Sequence, residues 1–153
     1  MNAPSPPDGA FAYLLKHTQR LVSITIMNSK IEQIRFASLY HDMRVTNWLP
    51  PWTCAFFEGR AFQKTFEDEL QHELPKTHIL FEHRQTAKLL ALHDECDDAL
   101  FFLPHAKQKY AVVHLTWNIE ADPAWPHTLL YETIADFTEQ AMVPAHEEFL
   151  DEW

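Results

Sequence analysis

The stretch HDECDDALFFLPHAKQKYAVVHLTW, residues 93–117, decides the fold, because it sets two apolar runs between polar turn residues. Short runs rich in aromatic and β-branched residues, bounded by turn formers, are typical of strands. Together with the apolar run before it, the stretch predicts strands at 86–92, 99–103 and 110–116. Their connectors, HDECDD and PHAKQK, are short enough to join antiparallel neighbours. The sequence therefore predicts an antiparallel meander.

Alternation along the third of these strands predicts one fully apolar face. Successive side chains of a strand point to opposite sides of a sheet. One side would carry Ala111, Val113 and Leu115. We expect helices to cover that side.

Two helices are predicted to pack on the sheet. Residues 59–74 carry apolar positions at helical spacing, and Pro75 ends the run. The apolar stripe of this helix is Phe62, Phe66, Leu70 and Leu74, and its polar face is Gln63, Glu67 and Gln71. Residues 129–142 predict a second helix, whose stripe is Leu130, Ile134, Phe137 and Ala141. Pro144 suits the first turn of a closing helical segment.

The expected fold class is α+β, with a small antiparallel sheet of three to five strands and two main helices. Residues 1–9 hold three prolines and predict a flexible leader, and 10–153 are expected to form a single α+β domain. Within it we expect a helix at 10–20 and a hairpin around 28–30. Four aromatic residues near a Pro-Pro pair would seal one end of the core: Trp48, Trp52, Phe56 and Phe57.

Composition argues against several function classes. Two Gly against ten Pro leave no Gly-rich loop for a phosphate group. Cys54 and Cys96 are far apart and form no Cys-x-x-Cys pair, so neither a disulfide framework nor a thiolate zinc site is expected. No signal peptide and no membrane span are expected from the apolar runs. We expect a cytoplasmic protein without a cofactor.

Charge is the most informative bulk property. The formal net charge is -10, and all twelve Lys and Arg lie at or before Lys109. The segment after Lys109, called the acidic third below, holds nine carboxylates: Glu120, Asp122, Glu132, Asp136, Glu139, Glu147, Glu148, Asp151 and Glu152. Such a surface repels nucleic acid and attracts a basic partner. The alternative is a solvated acidic face that only aids solubility.

Several residues are candidates for catalysis or metal binding, but for each of them we favour a structural role. Asp97 and Asp98 are adjacent, so on a strand they point to opposite faces and cannot share a proton. His93, Glu95 and His114 would bind a metal only if neighbouring strands brought them together, and the ten His include no HExxH motif. We expect structural histidines, with His114 buried or half-buried and hydrogen-bonded. If its face is open, His114 would instead form a shallow polar pocket at the strand end with Thr116, Trp117 and Glu120.

Cys96 and Trp125 complete the candidates. Cys96 lies among four carboxylates, whose charges should raise the pKa of its thiol and blunt its reactivity. Trp125 lies between Pro123 and Pro126 and is expected to anchor in the core. A recognition role is the alternative, because Trp is enriched at binding hot spots.

From about 78 to 149 the chain resembles an uncharacterised family of small bacterial proteins. The resemblance is carried by DECDDALFFL, YAVVHLTW, Glu120 with the Pro-Ala-Trp-Pro loop, and DFTEQAMVPAHEEF. Asn118 and Ile119 depart from the Gly or basic residue expected after the tryptophan. The resemblance implies a fold unit and no catalytic residues. In size and acidity the chain is also similar in type to immunity proteins of bacterial toxin systems.

These observations predict a non-enzymatic acidic binding protein, most simply an immunity protein that neutralises a bacterial toxin. The partner would be a basic protein, and neither nucleic acid nor a membrane is expected. Its contact surface is predicted to comprise Glu120, Asp122, Trp125, Glu132, Asp136, Glu139, Glu147 and Glu148. The alternatives are a metal-dependent hydrolase using His93, Glu95 and His114, and a structural subunit or homodimer.

Overall fold

A five-stranded antiparallel sheet organises residues 46–152, the part of the chain that the computed structural model describes. The strands follow chain order across the sheet: β1 (Trp52–Cys54), β2 (Lys88–His93), β3 (Asp98–Phe102), β4 (Tyr110–His114) and β5 (Thr128–Tyr131). The expected α+β class and the three-strand meander are confirmed. The leader at 1–9, the helix at 10–20 and the hairpin around 28–30 lie outside the described residues, and the domain spanning 10–153 stays a prediction.

The register of the sheet places one apolar row across four strands. Leu89 of β2 is opposite Phe101 of β3, Phe101 is opposite Ala111 of β4, and Ala111 is opposite Leu130 of β5. Since alternate residues share a face, Ala111, Val113 and Leu115 also lie on one side, and all three are buried. The predicted apolar face of β4 is confirmed.

Helix α1 (Arg60–Glu73) covers this apolar face. Leu70 and Leu74 are buried in the core cluster, and Phe62 and Phe66 pack against it while half-buried. Leu74 stops the helix in an extended conformation, immediately before Pro75. That ending agrees with the steric restriction that a proline places on the residue before it. The helix predicted at 59–74 is confirmed.

The polar face predicted for α1 is wrong at two of its three positions. Gln63 and Glu67 are only 9% and 4% exposed, and Gln71 alone is exposed as expected. The reason is geometric, because 63, 67, 70 and 74 recur at intervals of four, three and four and so share one face. Gln63 Nε2 donates to the carbonyl of Ala55 (3.0 Å), and the Glu67 carboxylate accepts both Arg60 guanidinium N–H groups and the N–H of Leu89. These partners offset the burial of the polar groups.

The opposite face of the sheet carries an aromatic cluster. Phe137 packs edge-on against Trp52, with ring centroids 5.1 Å apart, and against Tyr131 at 5.9 Å. Trp48 lies 6.4 Å from the same ring. Of the four aromatic residues predicted to seal one end of the core, Trp52 is buried, and Trp48 and Phe56 are half-buried. Phe57 does not fit that prediction, because it is 85% exposed.

The C-terminal helix begins later than predicted. Residues 128–131 pair with β4 as strand β5, and helix α2 (Ile134–Phe137) starts only after Thr133. Thr133 caps it: its hydroxyl accepts the N–H of Asp136, and the Asp136 carboxylate accepts the N–H of Thr133. The helix prediction is therefore wrong for 129–133, where pairing with β4 satisfies the backbone, and right for 134–142.

A π-helical segment, Thr138–Met142, joins α2 to helix α3 (Val143–Asp151). Pro144 lies in the first turn of α3, directly after the π-helical segment. The closing helical segment expected from the sequence is confirmed.

Candidate functional site

The predicted contact surface is mostly exposed. Five of its acidic side chains lie open to solvent: Asp122, Glu132, Glu139, Glu147 and Glu148. Glu120 and Asp136 are half-buried and have structural partners. Glu120 accepts a hydrogen bond from the hydroxyl of Thr116 at 2.6 Å, and Asp136 belongs to the helix cap. Four of the exposed acids have no structural hydrogen bond among the described residues, namely Glu132, Glu139, Glu147 and Glu148, whereas Asp122, Glu120 and Asp136 also hold local structure.

Trp125 is 44% exposed and is not the buried anchor that was expected. Asp122 orders the loop instead. Its carboxylate accepts the N–H of Ala124 at 2.8 Å, and its carbonyl accepts the N–H of Trp125 at 3.0 Å. The buried residue of this loop is Pro126, whose carbonyl accepts the Nε2–H of His78. The indole of Trp125 is thus presented by a fixed turn, which suits its alternative role in recognition.

His78 illustrates how the histidines of this chain are used. Its Nε2–H donates to Pro126 at 2.9 Å, and its Nδ1 accepts the N–H of Leu80 at 3.0 Å. Both ring nitrogens are therefore satisfied in the neutral form. Burial lowers the pKa of His78, although the bond to Pro126 opposes the shift. This imidazole joins the loop before β5 to the segment after α1.

The trio suggested for a metal site is not brought together. His93 packs edge-on against Trp52 with ring centroids 5.2 Å apart, whereas His114 turns to Asp98 and Glu95 is exposed. Within residues 46–152, no three His, Cys, Asp or Glu side chains form a group that could hold a metal ion. The described residues therefore supply no ligand set for the hydrolase alternative.

His114 is half-buried and hydrogen-bonded, as predicted. Its Nδ1 lies 2.7 Å from Asp98 Oδ1. An ionised carboxylate only accepts, so the proton sits on Nδ1. Asp98 and His114 are opposite one another in the β3–β4 register, which explains the contact. Asp97 instead accepts the indole N–H of Trp117 at 3.1 Å. The adjacent acids thus have separate partners, in agreement with the expectation that they form no dyad.

Glu73 is the central residue that the sequence did not reveal. Its side chain is 0% exposed, at the last turn of α1. One carboxylate oxygen accepts the N–H of Trp117 at 2.6 Å and the other accepts the N–H of Thr116 at 2.9 Å. Burial raises the pKa of Glu73, the two N–H groups oppose that shift, and repulsion from Glu69 adds to it. The sequence feature that could have indicated this burial is the position of Glu73 on the same face of the helix as Leu70.

Trp117 owes its backbone conformation to Glu73. Its φ is 58°, a left-handed value that non-glycine residues seldom adopt. This conformation points two successive N–H groups at one carboxylate, which resembles an anion-binding nest. The result is a fixed loop at the end of β4, with the indole of Trp117 46% exposed.

A cavity of about 160 Å³ lies beside this loop. It is lined by Phe66 of α1, the end of β2, the β2–β3 turn and Trp117: Phe66, Leu92, His93, Cys96, Asp97, Asp98 and Trp117. Burial raises the pKa of the Cys96 thiol, and Asp98 and Asp97 raise it further. The expected effect of the carboxylates on Cys96 is therefore right in direction, although burial is the larger cause. Burial also raises the pKa of Cys54.

A second cavity of about 180 Å³ is lined mainly by apolar side chains, among them Leu80, Leu103 and Leu130. Sites for drug-sized ligands enclose roughly 300–1,000 Å³. Neither of these two cavities reaches that range. Each suits the end of a side chain better than a whole metabolite.

Comparisons with protein-family models, with curated proteins and with solved structures found no match. The resemblance to small bacterial proteins therefore stays a prediction. Among the helices of residues 46–152, none combines the length and the apolar character needed to cross a bilayer.

Proposed function

We propose that this chain is a non-enzymatic binding protein of the cytoplasm whose acidic third contacts a basic protein. The form of this function that we favour is an immunity-type protein that neutralises a bacterial toxin. One observation carries the proposal. Within the described residues, none of the nine carboxylates of the acidic third forms an ion pair with a Lys, Arg or His.

The acidic side chains of the described residues before Lys109 do include members of ion pairs. Glu67 pairs with Arg60 at 2.6 Å and lies 3.8 Å from Lys88, and Asp68 pairs with Lys64 at 2.7 Å. Three described cations of this part, Arg60, Lys64 and Lys88, thus lie beside acids of their own segment. Among residues 46–152 no ion pair compensates the carboxylates of the acidic third, and a negative field of this kind accelerates encounter with an oppositely charged surface.

Apolar side chains lie exposed within the same third. Ile119 is exposed beside Glu120 in sequence, Trp125 follows Asp122, and Leu150 follows Glu148. Protein interfaces combine apolar anchors, which bury area, with a polar rim. Acidic residues alone would be as consistent with a face that only keeps the chain in solution as with a face that binds a partner. The exposed apolar side chains therefore support a protein partner over a purely solubilising face.

The polar groups inside the fold support a binding role over catalysis. Glu67, Glu73 and His78 are buried with hydrogen-bond partners that the fold itself provides. His114 is held by Asp98. Catalytic groups need an accessible reacting atom beside them. Glu67 instead faces the Arg60 guanidinium and a backbone N–H, Glu73 faces two backbone N–H groups, and His78 faces a backbone carbonyl.

Co-expression tests the proposal. Each reading frame that neighbours the gene for this chain is expressed alone and together with the chain, and growth is followed. We expect one frame to arrest growth alone but not with the chain. The purified pair should associate with a Kd that rises steeply with salt, because opposed surface charges are screened within about 8 Å at physiological ionic strength.

Two matched variants localise the contact. Glu147→Gln with Glu148→Gln removes two exposed charges from the acidic third, and Glu58→Gln with Glu82→Gln removes two exposed charges outside it. We expect the first pair to weaken binding by roughly fivefold and the second to leave it unchanged. Salt-independent binding, or equal effects of the two pairs, would contradict the acidic third as the contact surface. A stable homodimer by light scattering without any partner would favour the structural-subunit alternative.

A further inference from the structure

The cavity beside Trp117 has the chemistry of a cation site. One side is aromatic, since Phe66 and Trp117 meet edge to face with ring centroids 5.6 Å apart. Two carboxylates, Asp97 and Asp98, line the same space. Aromatic faces attract cations through the ring quadrupole, and the attraction grows as water is excluded. An aromatic wall and carboxylates in one small cavity therefore favour a positive group.

The aromatic wall is already in place before any ligand arrives. The N–H of Trp117 donates to Glu73, its indole N–H donates to Asp97, and its ring packs on Phe66. The bond to Glu73 fixes the backbone, and the contacts with Asp97 and Phe66 hold the side chain. A ligand stacking on the indole would pay little ordering entropy, which is the main cost of using a mobile aromatic.

Both carboxylates keep acceptor capacity. Asp97 Oδ1 takes the indole N–H of Trp117, and Asp98 Oδ1 takes the imidazole N–H of His114. No Lys or Arg of residues 46–152 pairs with either acid. Asp97 Oδ2 in particular is left to accept from an incoming donor.

We propose that this cavity takes the guanidinium group of an arginine from the basic partner. The proposal rests on the proposed function for the source of the arginine, whereas the chemistry of the cavity can be tested without the partner. Arginine suits the site better than lysine for two reasons. Its planar group stacks on an aromatic face, and its five N–H donors can reach two carboxylates at once. A cavity of about 160 Å³ accommodates a side-chain end rather than a whole small-molecule ligand.

A peptide titration followed by NMR tests the proposal. The full chain, labelled with ¹⁵N, is titrated with acetyl-Gly-Arg-Gly-amide and with peptides that carry Lys or uncharged citrulline at the middle position. The indole N–H of Trp117 is the reporter, since it borders the cavity. We expect a saturable shift with the Arg peptide, a Kd about fivefold higher with the Lys peptide, and no saturable shift with citrulline.

A matched pair of variants separates the cavity from general electrostatics. Asp97→Asn and Glu95→Gln each remove one charge from the same turn, but only Asp97 lines the cavity. We expect Asp97→Asn to raise the Kd of the Arg peptide by about fivefold and Glu95→Gln to leave it unchanged. Trp117→Asn, which tolerates the left-handed backbone, should abolish saturable shifts of the surrounding amides.

Equal effects of Asp97→Asn and Glu95→Gln, or equal Kd values for Arg and citrulline, would overturn the arginine site. So would the absence of any shift at Trp117. None of these results bears on whether the acidic third binds a partner, because the peptide needs only the cavity. Conversely, failure to find a neutralised toxin would leave the peptide result intact.

Discussion

At the scale of single residues, the end of the sheet depends on Glu73. A buried carboxylate that accepts two backbone N–H groups replaces the water that those groups would otherwise need. It also ties the last turn of α1 to the residues after β4, 43 positions later in the chain. Removal of this acceptor should therefore affect the whole domain and not only the loop.

We expect Glu73→Gln to lower the free energy of unfolding by about 1–3 kcal/mol. The amide keeps one acceptor oxygen, but its NH₂ group would face a backbone N–H and leave it unsatisfied. Urea denaturation measures the loss. Asp68→Asn in the exposed part of the same helix is the control, and we expect it to cost less than about 0.5 kcal/mol.

The raised pKa of Glu73 also predicts that the free energy of unfolding depends on pH. Since the pKa of Glu73 is raised in the folded state, the folded chain keeps this proton over a range in which the unfolded chain has lost it. Stability from this group is fully present below the unfolded pKa and falls as pH rises through the folded pKa. The stability difference between wild type and Glu73→Gln should shrink as pH rises through that window. A difference that grows instead would show that the two N–H groups outweigh burial.

At the scale of elements, the start of α2 shows one acidic residue with a structural task. Asp136 accepts from both the N–H and the hydroxyl of Thr133, at 3.0 and 2.8 Å. This capping box separates strand β5 from the helix within two residues. Asp136 therefore differs from Glu139, three residues later, which is exposed.

We expect Asp136→Ala to lower the free energy of unfolding by about 1 kcal/mol, because the N–H of Thr133 loses its acceptor in the capping box. Glu139→Ala should change it by less than about 0.5 kcal/mol. Thermal or urea unfolding of the two variants gives the comparison. A larger loss for Glu139→Ala would mean that the π-helical segment, and not the cap, governs this end of the domain.

At the scale of the whole molecule, the carboxylates of the acidic third repel one another. A net charge of -10, and acids after Lys109 that form no ion pair within residues 46–152, weaken the folded state through mutual repulsion. We expect sodium chloride to raise the melting temperature by a few degrees, because it screens this repulsion. Glu147→Gln with Glu148→Gln should reduce the salt effect. A melting temperature that falls with salt would show instead that the ion pairs of α1 dominate.

The meander and α1 could be predicted because their signals are local. Alternating apolar residues at 110–116 and helical spacing at 59–74 report which faces are buried, whatever those faces pack against. The helix boundary at Thr133 was harder to predict. Leu129 and Leu130 fit a helical stripe by spacing alone, and only a free edge of β4 makes the strand more favourable.

The sequence by itself determined the α+β class, the uneven charge and the absence of Gly-rich phosphate-binding loops, since each follows from composition or short-range periodicity. Tertiary structure decided the burial of Gln63, Glu67 and Glu73, the exposure of Trp125 and the cavity at Trp117. The physical reason is that burying a polar side chain is costly unless the fold brings it a hydrogen-bond partner. Those partners lie up to 44 residues away, beyond the reach of any local pattern.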